Sequence, residues 1–405
     1  MSKTFKHKNI IPYILLFLIG TGIGGYTYIL IYILFLIMLS RVFSTKVSKT
    51  AFWLIIYCII VYASMLVNKY DLTFESILKV PLYLIMFVVG KGYICDFKDD
   101  NDKLTDTCFY IFFVIGSGYF IRHVADVLSP VNNTVLINAY ARIIPRDVFS
   151  GGPMPTTIMA GWGIPLACLF YPCLVGYCKN KLIKWIVIIE NVILVICSFT
   201  IGSRTYIGVL LAEFVLTFLV DLFFISNREG KQKIKLLGIV IIALIAIALV
   251  IRFNAFGVRD AFLQSSMFDR IQNGSLRTGF FSSNGRDNIF DYFFQNIQNE
   301  LFGGGKLQTS GHEQHVWYLQ VFDLYGVIAF AILVIVVFKI IYEMVLYLRL
   351  KGEDSFSKVL ILSIVSSLLV YSFIEPVVTS NNIIIALLFT SVAIYEVKIT
   401  NINIY

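Results

Sequence analysis

The sequence predicts an all-α protein built as a polytopic transmembrane helix bundle of about twelve spans. Three observations carry that expectation. Hydrophobic residues make up 58% of the 405 and charged residues only 14%, with a mean hydropathy of +0.81, a balance that excludes a soluble fold. Apolar runs of about 18 residues or more recur along the chain, each long enough to cross the hydrocarbon core as a helix. Lysines gather in the short connections between those runs, where they set orientation.

Taken in order, spans are expected to start near residues 10, 25, 51, 76, 105, 156, 184, 204, 236, 314, 358 and 381, the first two being short and hinged at Gly20 to Gly25. The first run follows a basic leader (Lys3, Lys6, Lys8) and no small-residue cleavage site ends it, so it reads as a retained signal anchor. With the N-terminus in the cytoplasm, the connections 41–50, 91–104, 179–184, 226–235 and 342–358 fall inside, and each carries three or more lysines or arginines. Both termini are then cytoplasmic, in a multi-pass protein of the cytoplasmic (inner) membrane. The chain reads as one integral membrane domain over 1–405, with a first long extracytoplasmic loop at 122–155 and a second at 252–313 that contain short amphipathic helices. The seven cysteines (58, 95, 108, 168, 173, 178 and 197) fall in spans or on the cytoplasmic side and imply neither a disulfide framework nor a zinc knuckle. A net charge of +8 would point to nucleic acid in a soluble protein; here it reports topology, and no nucleic-acid partner is expected.

Arginine and lysine are distributed differently. Of the twelve arginines only Arg41, Arg228 and Arg349 fall inside, whereas Arg122, Arg142, Arg146, Arg204, Arg252, Arg259, Arg270, Arg277 and Arg286 fall on or near the outer face. Positive charge alone fixes orientation, so lysine suffices inside. A planar guanidinium is the better bidentate partner for phosphate oxygens, and an outward phosphate or pyrophosphate site explains the split. The plainer alternative is that these arginines touch lipid headgroups or pair with Asp126, Asp147, Asp260 and Asp269.

Between Arg286 and Gly326 lies the passage that the rest of the chain is expected to position. From Ile289, the residues Phe290, Phe293, Phe294, Ile297 and Leu301 share one helical face, with Asp287, Asp291, Gln295 and Gln298 on the other. Gly303, Gly304 and Gly305 stop that amphipathic helix. His312, Glu313, Gln314 and His315 follow, directly before the next apolar span. A zinc-protease helix needs its histidines four apart; the spacing here is three, and no metal or other cofactor is called for. His312 reads equally well as an interfacial polar anchor. Trp317 and the phenylalanines of the second loop suit packing better than sugar stacking, and Val148 to Pro155 reads as a shaped turn.

His315, Leu319 and Gly326, in the order H-x3-L-x6-G after the glycine run and after Arg286, resemble the signature region of bacterial O-antigen polymerases and O-antigen ligases. Gly202, Ser203 and Arg204 resemble that family's Ser-Arg step, and Glu375 and Pro376 before Asn381 and Asn382 resemble its last outer loop. The resemblance covers about residues 150 to 395; Val316 stands where the family often has asparagine. It implies transfer of a glycan from an undecaprenyl-pyrophosphate-linked oligosaccharide to an acceptor sugar at the outer face of the membrane, among membrane lipid and beside a flippase and a chain-length regulator. Catalytic roles are expected for His315, Arg286 and Arg204. Substrate binding is expected for Arg270, Arg277, Arg146, Arg142, His312 and Glu375. The alternatives are an O-antigen ligase and, from another class, a lipid-linked oligosaccharide flippase or transporter, which would keep its decisive polar residues near the bilayer midplane.

Overall fold

The computed structural model describes residues 10–23, 27–42, 48–69, 72–95, 101–129, 135–137, 140–142, 145–225, 301–305, 316–350, 354–375 and 382–402, with isolated positions between 238 and 295. The described chain is mostly helical, with one short hairpin and irregular turns at 145–155 and 301–305. In order the helices are α1 (Ile10–Thr21), α2 (Thr27–Val42), α3 (Lys49–Asn68), α4 (Phe74–Lys79), α5 (Leu82–Cys95), α6 (Asn101–Leu128), α7 (Thr156–Trp162), α8 (Ile164–Leu174), α9 (Lys181–Ile201), α10 (Thr205–Val220), α11 (Trp317–Arg349), α12 (Ser355–Ile374) and α13 (Asn382–Ile402). Strands β1 (Val135–Ile137) and β2 (Tyr140–Arg142) pair antiparallel, Val135 opposite Arg142. Among the described residues, seven helices are long and apolar enough to cross a membrane, and four apolar helices are shorter. Helices begin close to each expected position except 236, which lies outside the described residues.

Local chemistry sets the helix ends. Ser48 opens α3 by accepting from the Ala51 N–H at 3.2 Å, and Asn180 opens α9 by accepting from Leu182 and Ile183 at 3.1 and 3.3 Å, each satisfying donors that the first turn leaves free. Gly202 closes α9 at φ +68°, with the Ser203 N–H returning to the Ser198 carbonyl at 3.0 Å, the left-handed C-terminal motif.

The described helices lie up and down through one bundle, so their ends collect at two poles. One pole carries Thr21, Asn68, Leu128, Gly202, Trp317 and Glu375; the other carries Thr50, Lys91, Asp221 and Glu396. The chain inside is packed by close crossings. Gly20 of α1 lies on the backbone of α6 at Ile115 and Gly118, and a Cβ on Gly90 of α5 would stand 2.6 Å from the Thr390 carbonyl of α13. At the second pole Glu396 ties four helices together: Lys91 reaches it at 3.3 Å and Lys339 at 3.5 Å, Thr50 donates to it at 3.0 Å, and Lys339 also pairs with Glu343. Two lysines and two glutamates offset one another, so burying them leaves little net charge.

Helix α6 runs through Leu128, further than the loop boundary at 122 anticipated. Arg122 and Asp126 therefore lie one turn apart on a helix and inside the bundle, not in the loop.

Candidate functional site

The first pole gathers three turns that the sequence reading singled out. The best-defined is a clasp between Gly303–Gly305 and α11. Gly326 sits inside α11 with φ +88° and ψ +178°, a conformation that breaks the helix and that only glycine adopts without strain. A break of this kind frees the carbonyls one turn earlier. The Gly304 N–H bonds to Asp323 O at 3.0 Å and the Gly305 N–H to the same oxygen at 2.8 Å. Gly303, Gly304 and Gly305 all have positive φ, and a Cβ on Gly303 would stand 2.6 Å from the Gly326 nitrogen. From the other side Ser64 and Asn68 of α3 hold the Phe302 carbonyl, Asn68 at 2.6 Å. The glycine run thus fills the break in α11, while the amphipathic helix that it is expected to stop lies outside the described residues.

The start of α11 is fixed by aromatic contacts. Trp317 is wholly buried; its ring stands edge-on to Tyr83 with centroids 5.7 Å apart, and its Nε1–H bonds to the Tyr83 hydroxyl at 3.0 Å. Its role is packing. Tyr318 joins α11 to α12 through Ser372 at 3.2 Å. Gln320 and Asp323, one and two turns into α11, are buried polar residues that the sequence reading passed over, although a glutamine and an aspartate inside an apolar span are a visible signal.

Three residues beyond Ser372, Glu375 ends α12. It is buried, its N–H bonds to Tyr371 O at 3.2 Å, and its Oε1 accepts from the Thr205 hydroxyl, the first residue of α10. Two of the blocks singled out by resemblance, Gly202–Arg204 and Glu375, are thereby joined through one hydrogen bond. Arg204 caps α10 by position and is exposed; among the described residues its guanidinium has no hydrogen bond or ion pair. Next to it Tyr206 is buried and donates to Asn191 at 2.5 Å, while Asn191 donates to Val187 and Leu166 carbonyls at 2.7 and 3.2 Å. This network braces the α9–α10 turn beneath Arg204.

The third turn is 145–155. Arg122 donates through Nε to both oxygens of Asp126 at 2.9 and 3.0 Å, through NH1 to Thr21 O at 3.3 Å, and through NH2 to Asp147. Its guanidinium lies 4.1 Å from the Phe149 ring centroid and 5.6 Å from that of Trp162. Here the plainer alternative holds: Arg122 pairs with Asp126 and Asp147. Asp147 in turn accepts from the Phe149 and Ser150 N–H groups at 2.8 and 3.1 Å. Partial burial alone would raise the Asp147 carboxyl, but those backbone donors and Arg122 together hold it below the ordinary carboxylate value. Arg146 is exposed, and its Nε–H donates to Gly151 O at 2.8 Å. The turn leads into α7 and then Gly163, which packs on the Tyr206 ring, so Arg146 and Arg204 occupy the same pole.

His123, beside Arg122, drew no comment in the sequence and is buried, with Nδ1 at 3.1 Å from Met159 O. Arg142 lies on β2, and only its backbone is described. His312, His315, Arg270, Arg277 and Arg286 lie outside the described residues. No family model matches the chain, and a comparison with curated proteins finds no match. Fold and site define a class: a helical protein with helices suited to a membrane, carrying exposed arginines on braced turns at one pole.

Proposed function

We propose that the protein is an oligosaccharide repeat-unit polymerase, of the kind that builds O-antigen or capsular polysaccharide, and that it transfers glycan from undecaprenyl pyrophosphate to an acceptor sugar. In this reading it sits in the cytoplasmic membrane with about twelve spans, both termini inside and the Arg204 pole outside. The ninth span, expected from 236, would make the passage between Ile225 and Leu301, which lie at opposite poles.

The observation that carries the reading is the Arg204 guanidinium, without a partner among the described residues, on a turn bonded through Thr205 to Glu375, because a pyrophosphate leaving group needs fixed cationic donors where charge develops. The acceptor hydroxyl oxygen attacks the anomeric carbon, the bond from that carbon to the pyrophosphate oxygen breaks, and the lipid pyrophosphate departs with both electrons. His315, placed by sequence directly before α11, takes the hydroxyl proton. Arg204 and Arg286 steady the leaving oxygens, with Arg270 and Arg277 on the same side. This chemistry needs no cofactor.

Profiling lipid-linked glycans in a deletion strain tests the reading. Single repeat units with long chains absent are expected. Long chains stranded on undecaprenyl pyrophosphate would mean a ligase, and repeat units trapped on the cytoplasmic side would mean a flippase.

A further inference from the structure

The turn 145–152 carries more structure than a connection needs. Its backbone closes on itself, with Asp147 N–H to Gly152 O at 2.8 Å, Gly151 N–H to Asp147 O at 2.7 Å and Met154 N–H to Pro145 O at 2.9 Å. It is then bolted to α6: Asp126 accepts the Arg146 N–H on its backbone carbonyl at 3.2 Å and the Val148 N–H on Oδ1 at 3.0 Å, and Arg122 holds Asp147. The tip that this frame presents is amphipathic. Val148 and Phe149 are 40% and 50% exposed. Beside them Arg146 is exposed, its Nε engaged by Gly151 O, with no described partner on its two terminal nitrogens. Asp126 and Asp147 direct oxygens to Arg122 and to backbone N–H groups, so neither carboxylate pairs with Arg146.

A cation fixed at one nitrogen, with two parallel donors left over, matches two oxygens of one phosphate. Apolar side chains directly beside it match a hydrocarbon chain leaving that phosphate. We infer that Arg146, Val148 and Phe149 form a binding position for a phosphate carried on a polyprenyl chain, with Arg122 and Asp147 as positioning residues that hold the turn in its binding shape. Arg146 is the contact; Asp147 acts through it. The inference rests on the polymerase reading for the identity of the lipid, and supplies the position at which one of its two lipid pyrophosphates is held.

Binding to the purified full-length protein in detergent separates the sources of phosphate. Farnesyl pyrophosphate should bind more tightly than inorganic pyrophosphate or farnesol, because only it satisfies both halves of the tip. Replacing Arg146 by Gln removes two charge-assisted bonds and should weaken binding by about tenfold or more. Asp147→Asn keeps an oxygen for the Phe149 and Ser150 N–H groups but loses the Arg122 ion pair; binding should fall similarly, and Asp147→Glu should recover part of it. Phe149→Ala should abolish the preference for the prenylated probe. Thermal unfolding of Arg146→Gln should match the parent, which excludes misfolding as the cause. Unchanged binding in Arg146→Gln overturns the inference, as does displacement of the probe by phosphatidylglycerol vesicles at comparable lipid concentration, which would make the tip an ordinary headgroup anchor. Because the assay contains no glycan or acceptor, it is independent of the polymerase reading; normal long chains in the deletion strain would refute that reading and leave the binding result standing.

Discussion

Gly303 and Gly326 meet backbone to backbone, the nitrogen of one helix break lying where a Cβ on the other glycine would have to go. Any side chain at either position collides with main chain, which cannot rotate away. Gly326→Ala meets the Leu301 carbonyl and demands a left-handed φ of +88°, so it should cost on the order of 2 to 4 kcal/mol. Gly208, inside α10 with open space around it, provides the contrast: Gly208→Ala should be neutral or stabilising by about 0.5 to 1 kcal/mol. Thermal melts of the two variants in detergent decide the matter, and equal melting temperatures would rule out the clasp.

Arg122 and Arg204 should respond oppositely to the same change. Lysine at 122 cannot serve Asp126, Asp147 and the Thr21 carbonyl together, so Arg122→Lys should lower stability by roughly 1 to 3 kcal/mol. Arg204→Lys breaks no described contact and should melt like the parent while losing about tenfold or more in polymerisation rate. A stable Arg122→Lys, or a fully active Arg204→Lys, contradicts the division of labour between a structural and a chemical arginine.

The two histidines before α11 should separate as well. If His315 accepts the acceptor proton, His315→Ala should reduce the rate by about a hundredfold or more with normal membrane levels of protein. His312→Ala should lose less. Parallel losses with reduced protein levels would assign both to folding.

The Asp147 lock predicts a pH response. Its carboxyl titrates below the ordinary value in the folded protein, so its contribution is complete above about pH 3.9, the unfolded carboxylate value, and disappears as pH falls through the lower folded value. Hydrogen exchange at the Phe149 and Ser150 amides should stay slow at pH 5 and accelerate below about pH 4 relative to intrinsic exchange; no such change means the ion pair does not fasten the turn.

Reporters test sidedness. Fusions after Asn133 and Ser283 should lie outside, and those after Lys181, Gln232 and Lys351 inside, since lysine bias orients the spans. An internal Ser283 would remove the basis for an outward site.

How much of this was legible beforehand depended on range. Apolar runs marked the helices and the run Gly303 to Gly305 marked a turn, because those features are local; Gly202 and Gly326 stood out only within motifs, and the break that Gly326 makes in α11 was not anticipated. The partner that each break would meet was not: nothing near Asn68 points to Phe302, since their pairing crosses most of the chain. Arg122 shows the same limit. Composition placed it with the outer arginines, whereas its role follows from Asp126 one turn later and Asp147 beyond a hairpin. Arg204 was singled out because its Gly-Ser-Arg step is contiguous, and Glu375 because Pro376 and then Asn381 and Asn382 follow it; the hydrogen bond that joins their turns through Thr205 belongs to the fold alone.

The glycine clasp also bears on chain entropy. With Gly304 and Gly305 bound to Asp323, only residues 306–315 join the clasp to the start of α11. Loop-closure cost grows with the logarithm of length, so dividing a long excursion at the glycines confines its last ten residues more tightly than one undivided loop would. His315 stands at the end of that short closed segment. If the proposed transfer is right, any ordering of that segment achieved in folding need not be repeated when a sugar arrives, which would leave more of the binding free energy to orient the two glycans against each other.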